Sequence, residues 1–274
     1  MRSLTMILDG YMMGLPFYVR LLIIAAFLAI AAVFSYRRHL LTPSGVMIAI
    51  VLGFIVFWTG GVSAMAVFLF FFLSASMLSR LSDSRNTIAE KTGRRDMMQV
   101  IANGVPAALM LVLYWISDNP LFLGAFAAAM AEAESDTAAS SIGMLSSKPP
   151  LSILTFTPVP PGLSGGVSFL GTVSALAFSS LIAILHMGTS GCSFKELFLI
   201  AASGFLGSLF DSFLGASVQV HYRREDGSLT EKRFENGRKL ERARGIPLID
   251  NDAVNLLSGL FSAAIFLSVR SILG

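Results

Sequence analysis

The sequence is poor in cysteine, histidine and charge, and each shortage excludes a kind of protein. A single cysteine, Cys192, stands in a chain of 274 residues, which excludes an internal disulfide and a cysteine-rich metal site. The three histidines, His39, His186 and His221, are isolated from one another, and we assign them no role. Charged residues make up only 14% of the chain, against about 25% in an average soluble domain. With 54% hydrophobic residues, the composition is typical of a polytopic membrane protein.

Apolar runs that approach or exceed the length needed to cross a bilayer, about 17–25 residues, recur along the chain. Their pattern predicts an all-α transmembrane bundle of about eight spans, with seven to nine as the range, in one domain covering residues 1–274. The predicted spans are 17–36, 44–59, 62–79, 97–116, 120–141, 164–187, 194–218 and 251–271. The second and third are joined only by the sequence TGG, so we expect a tight helical hairpin there.

Basic residues concentrate in the loops that would share one side of this bundle. The loops 37–43, 80–96, 142–163 and 219–250 hold 16 of the 20 Lys and Arg residues. Because cytosolic loops carry the excess of Lys and Arg, we expect a multi-pass cell-membrane protein with these loops in the cytosol and both termini outside. Alternating apolar and charged residues in the loop 219–250 predict a small cytosolic hairpin.

Carboxylates interrupt the spans near that same side. Glu132 and Asp136 share a helix face at the end of the fifth span, and Asp211 lies about two turns inside the seventh. Asp252 and Asn255 share the first turn of the eighth, where Asp252 could alternatively be a helix cap. Ionised residues within spans are costly and usually face a cavity, so we expect one cytosolic polar pocket. Oxygen ligands without His or Cys suit Mg²⁺, with Asp136, Asp211 and Asp252 as its ligands.

Small residues share the helix face of Asp211. Gly204, Gly207 and Gly215 lie seven and four residues before it and four after it, which places all of them on one stripe. Such a stripe predicts that another helix, or a ligand, approaches Asp211 closely. Plain helix packing is the alternative role of the glycines.

Two segments have the composition of anion-binding loops. The segment KPPLSILTFTPVPPGLSGGVS, residues 148–168, leads into the sixth span, and its glycines would leave backbone N–H groups free beside a helix N-terminus, where phosphate binds readily. In the segment GRRD, two arginines precede the fourth span, with anchoring of the span as their alternative role. Neither segment matches a Walker P-loop. The candidate residues for binding nucleotide or phosphate are Arg94, Arg95, Lys148, Gly162, Gly165, Gly166, Ser168 and Asn255.

Five motifs resemble, in their order, those of the family of transmembrane protein 19 and the plant phytyl-phosphate kinase of the vitamin E pathway. They are GRRDMMQVIANG, SDTAASSIG, PPGLSGGVSFLGT, GFLGSLFDSFLGAS and DNDAVNLLSG. The resemblance covers about residues 40–270. The chain departs from the family's motifs at Ser141, where the family usually has Glu, and at Leu163, where it usually has Thr.

The resemblance implies a membrane kinase that passes the γ-phosphate of CTP, or another NTP, to an isoprenyl monophosphate such as phytyl phosphate. The implied catalytic residues are Glu132, Asp136, Asp211 and Asp252, with Mg²⁺ as cofactor and CTP as phosphate donor. The expected partners are this lipid, the nucleotide and the bilayer, without nucleic acid, and a homodimer stays open. Three alternatives stay open. They are a cytidylyltransferase that forms a CDP-lipid, a lipid or ion transporter that uses the intramembrane carboxylates, and a non-catalytic scaffold.

Overall fold

The computed structural model describes residues 3–82, 88–90 and 93–273. The helices are α1 (Leu4–Gly14), α2 (Phe17–Arg37), α3 (Pro43–Ser82), α4 (Met97–Ser117), α5 (Leu121–Gly143), α6 (Phe169–Ser190), α7 (Phe194–Ser217) and α8 (Asn251–Leu273). The strands are β1 (Leu151–Ser152), β2 (Gly166–Val167), β3 (His221–Arg223), β4 (Leu229–Thr230), β5 (Phe234–Glu235), β6 (Arg238–Lys239) and β7 (Glu241–Arg244).

The helices form the predicted membrane-spanning bundle. Within the described ranges, six of them are long and apolar enough to cross a membrane, namely α2, α3, α4, α6, α7 and α8. α3 breaks at Gly61, whose φ of 69° is not helical, and its two arms fold back on each other, so that a side chain at Gly53 would touch Met65. The predicted helical hairpin is therefore confirmed. With the arms counted separately and α5 included, the bundle has the eight predicted segments.

α5 lies at the centre of the bundle. It packs against α3, α4, α6, α7 and α8, and most of its residues are buried. Gly204 and Gly207 of α7 lie directly against it, because an added Cβ would come within 2.5 Å of Ala131 and 2.6 Å of Glu132. Small residues at such a contact let two helix backbones approach closely. This part of the predicted glycine stripe is therefore the surface on which α7 meets α5.

The described polar loops gather on one face of the bundle, which we call the polar face. Strands β4, β3 and β7 form an antiparallel sheet in that order, and β5 pairs with β6, so the loop 219–250 holds more than the predicted hairpin. The segment 88–90 joins this sheet, since the Thr230 hydroxyl donates a hydrogen bond to the Ile88 carbonyl at 2.9 Å. Residues 83–87 and 91–92 of the predicted loop 80–96, with Arg85 and Lys91, lie outside the described residues.

The sixth span begins later than predicted. Residues 164–168 belong to a loop in which Ser152 pairs with Gly166 across β1 and β2, and α6 starts only at Phe169. Ser168 is the N-cap of α6, and its hydroxyl accepts a hydrogen bond from the Gly171 N–H at 3.0 Å. The predicted start at residue 164 was wrong because Ser164 and Gly165 lie in a turn and the next two residues pair with β1.

The short helix α1, which the hydropathy pattern does not predict, lies on the opposite face. Its Asp9 accepts hydrogen bonds from the Val62 N–H at 2.5 Å and from the Ser63 hydroxyl at 2.7 Å. Because the second arm of α3 begins directly after Gly61, its first N–H groups have no capping side chain from their own sequence. Asp9 therefore caps this arm from a distance in sequence.

Replacing Asp9 should destabilise the hairpin of α3. Asp9→Ala removes the cap, and we expect a loss of about 1–2 kcal/mol in the free energy of unfolding. Asp9→Asn keeps an acceptor oxygen and should lose less. Thermal unfolding of both variants in detergent checks this, and wild-type stability of Asp9→Ala would contradict the capping role.

Candidate functional site

Carboxylates from three helices meet at a cavity of about 260 Å³ on the polar face. Asp136 comes from the end of α5, Asp211 from α7 and Asp252 from the first turn of α8. The loop 162–168 lines the same cavity, so four predicted loop residues join them, namely Gly162, Gly165, Gly166 and Ser168. The structure thus brings three of the four predicted acids, without Glu132, to one cavity with these loop residues.

Asp136 and Asp211 interact across the interface of α5 and α7. Asp211 is buried, its Oδ2 accepts a hydrogen bond from the Ser258 hydroxyl at 3.3 Å, and its carboxylate interacts electrostatically with Asp136. Glu132 lies one turn deeper on α5, outside the cavity wall, and its Oε1 makes no hydrogen bond to any described residue. Such a concentration of negative charge in a low-dielectric site favours a bound cation.

The carboxylates fit Mg²⁺ in one particular way. Among the described residues, no three acidic, histidine or cysteine side chains are arranged to hold a single ion. Mg²⁺, however, is usually held by one or two carboxylates together with water and substrate phosphates. Asp136 and Asp211 offer such a pair, on neighbouring helices that face one cavity. They therefore suit an ion that arrives with a phosphate better than a permanently resident one.

The glycine loop lies against the last turn of α7. A Cβ added at Gly215 would come within 3.0 Å of the Gly165 nitrogen, so the end of the glycine stripe faces the loop instead of α5. Gly165 has a φ of 84°, and a Cβ there would lie 2.4 Å from the Ala216 side chain and 2.6 Å from its backbone. The sequence predicts that the Gly166 N–H is free to bind an anion. In the structure it donates to the Leu163 carbonyl at 3.1 Å, so this prediction was wrong.

Gly165 and Gly227 allow a matched test of this contact. Both have a left-handed φ, but Gly227 has no atom within 4 Å of an added Cβ. Gly227→Ala should therefore cost only backbone strain, about 1–2 kcal/mol, whereas Gly165→Ala should also push the loop off α7. We expect a clearly larger drop in the unfolding temperature for Gly165→Ala, and equal drops would show that the close contact does not matter.

Two buried polar residues that flank strands β3 and β4 also line the cavity, and sequence reasoning missed both. Glu231 accepts a hydrogen bond from the Ser164 hydroxyl, and burial raises the pKa of its carboxyl. Gln219 is 2% exposed and lies near Glu231, yet neither of its amide atoms has hydrogen-bond geometry with a described residue. Nothing in the charged loop sequence distinguishes these residues from their neighbours. Ser208 of α7 also lines the cavity, and its position three residues before Asp211 was an available signal.

The predicted basic ligands lie outside the acidic cavity. Arg94 and Arg95 line a separate basic pocket of about 240 Å³ together with Arg80 and His39. Ser79 lines both this pocket and the acidic cavity, so the two adjoin. Two further predicted ligands lie on neither wall. Lys148 is exposed, and Asn255 has a buried Oδ1 without a hydrogen bond to any residue that the structure describes.

The polar-face sheet should lose stability on acidification because of His221. This residue is fully buried in β3, its Nδ1–H donates to the Gln219 carbonyl at 3.0 Å, and burial followed by the charge of Arg244 lowers its pKa from 6.5 to about 4. Between these two values the unfolded chain binds a proton that the folded chain does not, so stability falls as the pH falls.

Variants at two histidines test this dependence. His221→Asn keeps a donor for the Gln219 carbonyl but does not titrate, so the loss of stability between about pH 7 and about pH 5 should shrink. His39→Asn removes an exposed histidine and should leave the loss as in the wild type. Thermal unfolding at both pH values is the measurement, and equal losses in all three proteins would refute the role of His221.

The fold and the site define a polytopic helical membrane protein whose intramembrane acids open to one face. The chain belongs to the integral membrane protein family DUF92, which matches residues 26–263 and confirms the resemblance drawn from the motifs. It is 29% identical over 261 residues to Protein PGR of Arabidopsis thaliana, covering 84% of this chain and 88% of that protein.

Two microbial relatives extend the comparison. An uncharacterized membrane protein of Synechocystis is 30% identical over 215 residues, covering 76% of this chain and 82% of its own. An uncharacterized membrane protein of Methanocaldococcus jannaschii is 28% identical over 200 residues, which cover 72% of this chain and 83% of that protein. No solved structure matches the chain. The relatives' names state no reaction, so the chemistry is argued from the site.

Proposed function

We propose that the protein is a membrane-embedded kinase that passes the γ-phosphate of CTP, or another NTP, to an isoprenyl monophosphate. The observation that carries this proposal is the meeting of Asp136, Asp211 and Asp252 with the glycine loop in one cavity, next to a basic pocket. Phosphoryl transfer depends mainly on positioning and on the neutralisation of charge. Adjoining acidic and basic compartments supply both signs of charge that this reaction needs.

The acids and the loop have separate roles in this proposal. Asp136 and Asp211 would hold Mg²⁺ on the nucleotide phosphates, where the ion would neutralise charge on the group being transferred. Asp252, at the first turn of α8, would complete the acidic wall, and Glu132 would support Asp136 from one turn deeper. The loop 162–168 would shape the wall that faces the nucleotide.

The reaction needs no strong general base. The acceptor is a phosphate that is already ionised at neutral pH, so one of its oxygens can attack the γ-phosphorus directly. As the new P–O bond forms, the bond from the γ-phosphorus to the bridging oxygen breaks, and CDP leaves with the electron pair. The described wall of the acidic cavity contains no histidine, in agreement with a reaction that requires none.

The same proposal fixes the orientation in the membrane. CTP is a cytosolic nucleotide, so the polar face would lie in the cytosol, as the excess of Lys and Arg in its loops also favours. The turn at Gly61 and helix α1 would then lie on the outer side. Cysteine accessibility from either side of sealed vesicles tests this orientation.

Asp211 is the residue on which the mechanism depends most. Asp211→Asn keeps the shape and the hydrogen bond to Ser258 but removes a negative charge, so we expect turnover to fall at least about 100-fold. Asp118→Asn removes an exposed acid at the far end of α4 and should keep wild-type turnover. Full activity in a folded Asp211→Asn protein would remove this residue from the mechanism.

Metal removal and product analysis test the reaction itself. With γ-labelled CTP, Mg²⁺ and prenyl monophosphates, we expect label in a prenyl diphosphate, its loss with chelator and its return with Mg²⁺. Turnover that persists in excess chelator would contradict the role of the acids. Transfer of α-label to lipid with release of pyrophosphate would instead identify a cytidylyltransferase. A folded protein that neither binds nucleotide nor labels lipid would overturn both.

A further inference from the structure

An apolar groove of about 320 Å³ lies between α2, α3 and α4. Its deeper part is formed by apolar side chains of α2 and of both arms of α3, among them Leu28 and Met65, together with Gly53. Its other end reaches the polar face at Leu41 and Arg95. From Val46 to Gly53 the groove follows about 10 Å of helix.

Apart from Ser35 of α2, whose hydroxyl donates to the Ala31 carbonyl at 2.7 Å, the polar residues on the described groove wall come from one side. Arg95, just before α4, and Gln99 and Asn103, in its first turns, are spaced four residues apart, and all three line the groove. Local hydrogen bonds hold two of them in place, since the Gln99 Oε1 accepts from the Asp96 N–H at 3.1 Å and the Asn103 amide donates to the Gln99 carbonyl at 2.9 Å. A ligand in the groove would therefore meet apolar walls on α2 and α3 and a polar strip on α4.

Three compartments adjoin at the mouth of the groove. Arg95 lines both the groove and the basic pocket, and Gln99 lines both the groove and the acidic cavity. The Arg95 guanidinium lies 5.5 Å from the centre of the Phe71 ring and 3.5 Å from the Thr137 hydroxyl, next in sequence to Asp136. A phosphate beside Arg95 would thus lie between an apolar groove and the acids that face the nucleotide.

We infer that the groove holds the hydrocarbon chain of a single-chain isoprenyl monophosphate whose phosphate lies in the basic pocket. The match of charge carries the assignment, because a phosphate dianion fits a pocket of three arginines and its chain fits the apolar walls. The inference rests on the proposed function only in treating this lipid as the acceptor. It places that acceptor on α2, α3 and α4, away from the loop 162–168.

A plug in the groove tests the assignment. Ala49 lines the groove midway along the first arm of α3, whereas Val51, on the same arm, is 53% exposed and lies outside it. In the full-length protein in detergent, without nucleotide, Ala49→Phe should weaken binding of geranylgeranyl monophosphate at least about tenfold, and Val51→Phe should leave it nearly unchanged. Native mass spectrometry or a thermal-shift titration measures both.

Chain length separates a plugged groove from a damaged protein. Dimethylallyl monophosphate has a chain too short to reach far past the mouth, so Ala49→Phe should bind it as the wild type does. If Ala49→Phe also fails to bind the short lipid, the variant is misfolded. The test is then repeated with Ala31→Phe, whose new side chain would enter the same groove from α2. Unchanged binding of the long lipid in both folded variants would overturn the inference.

Two competitors identify the source of the phosphate. Inorganic phosphate should compete weakly, and phosphatidic acid, with two chains, should bind less tightly than geranylgeranyl monophosphate. Equal or tighter binding of either competitor would overturn the assignment to a single-chain lipid.

The binding assay also separates this inference from the kinase. Groove-dependent binding without phosphate transfer from any NTP would refute the kinase and leave the lipid site standing. Transfer to long acceptors that is undiminished in Ala49→Phe would refute the lipid site and leave the kinase standing.

Discussion

The acids of α5 cannot face hydrocarbon, and the arrangement of the other helices follows from enclosing them. Glu132 and Glu134 are buried in a helix whose remaining core positions are mostly alanine, so neighbouring helices can approach its backbone. Five helices pack around it, and the glycines of α7 bring one of them within contact of Glu132. At the polar face α5 emerges from the bundle, and there Asp136 meets the cavity. Because the acidic end of α5 cannot face hydrocarbon, it lies at the polar face, and this determines the position of the site.

Sequence reasoning succeeded where a feature depends on local periodicity. Apolar runs predict the spans, and the i, i+3 and i+4 spacings place Asp211 on the glycine face of α7 and Glu132 on the face of Asp136. Sequence reasoning failed where a feature depends on contacts between residues far apart in the sequence. Asp9 caps a helix more than fifty residues away, and the pairing of β1 with β2 delays the start of α6. Glu231 reaches the cavity only because a sheet folds back over the polar face, which no spacing in its own loop indicates.

The two departures from the family's motifs both lie on the acidic cavity wall. Ser141 is buried on α5 beyond Asp136, and Leu163 is buried in the glycine loop. A serine in place of glutamate removes a carboxyl from the wall, but Glu231 contributes one from the sheet and is held there by the Ser164 hydroxyl. The leucine contributes its backbone carbonyl, which accepts the Gly166 N–H and shapes the loop without a side-chain hydroxyl. The wall therefore remains acidic and its loop remains ordered by backbone contacts.

The separation of charge between the compartments has a physical reason if two phosphorylated molecules meet here. Donor and acceptor phosphates repel each other, so each requires positive charge of its own before they can approach. The basic pocket supplies positive charge to one phosphate through its own arginines. The acidic cavity can supply positive charge to the other phosphate only through a cation that its carboxylates attract. Arg95 lies at the boundary, close enough to Asp136 for the two side chains to interact electrostatically. Its guanidinium, 3.5 Å from the Thr137 hydroxyl, therefore lies at the seam between the compartments, where attacking and transferred phosphates would have to meet.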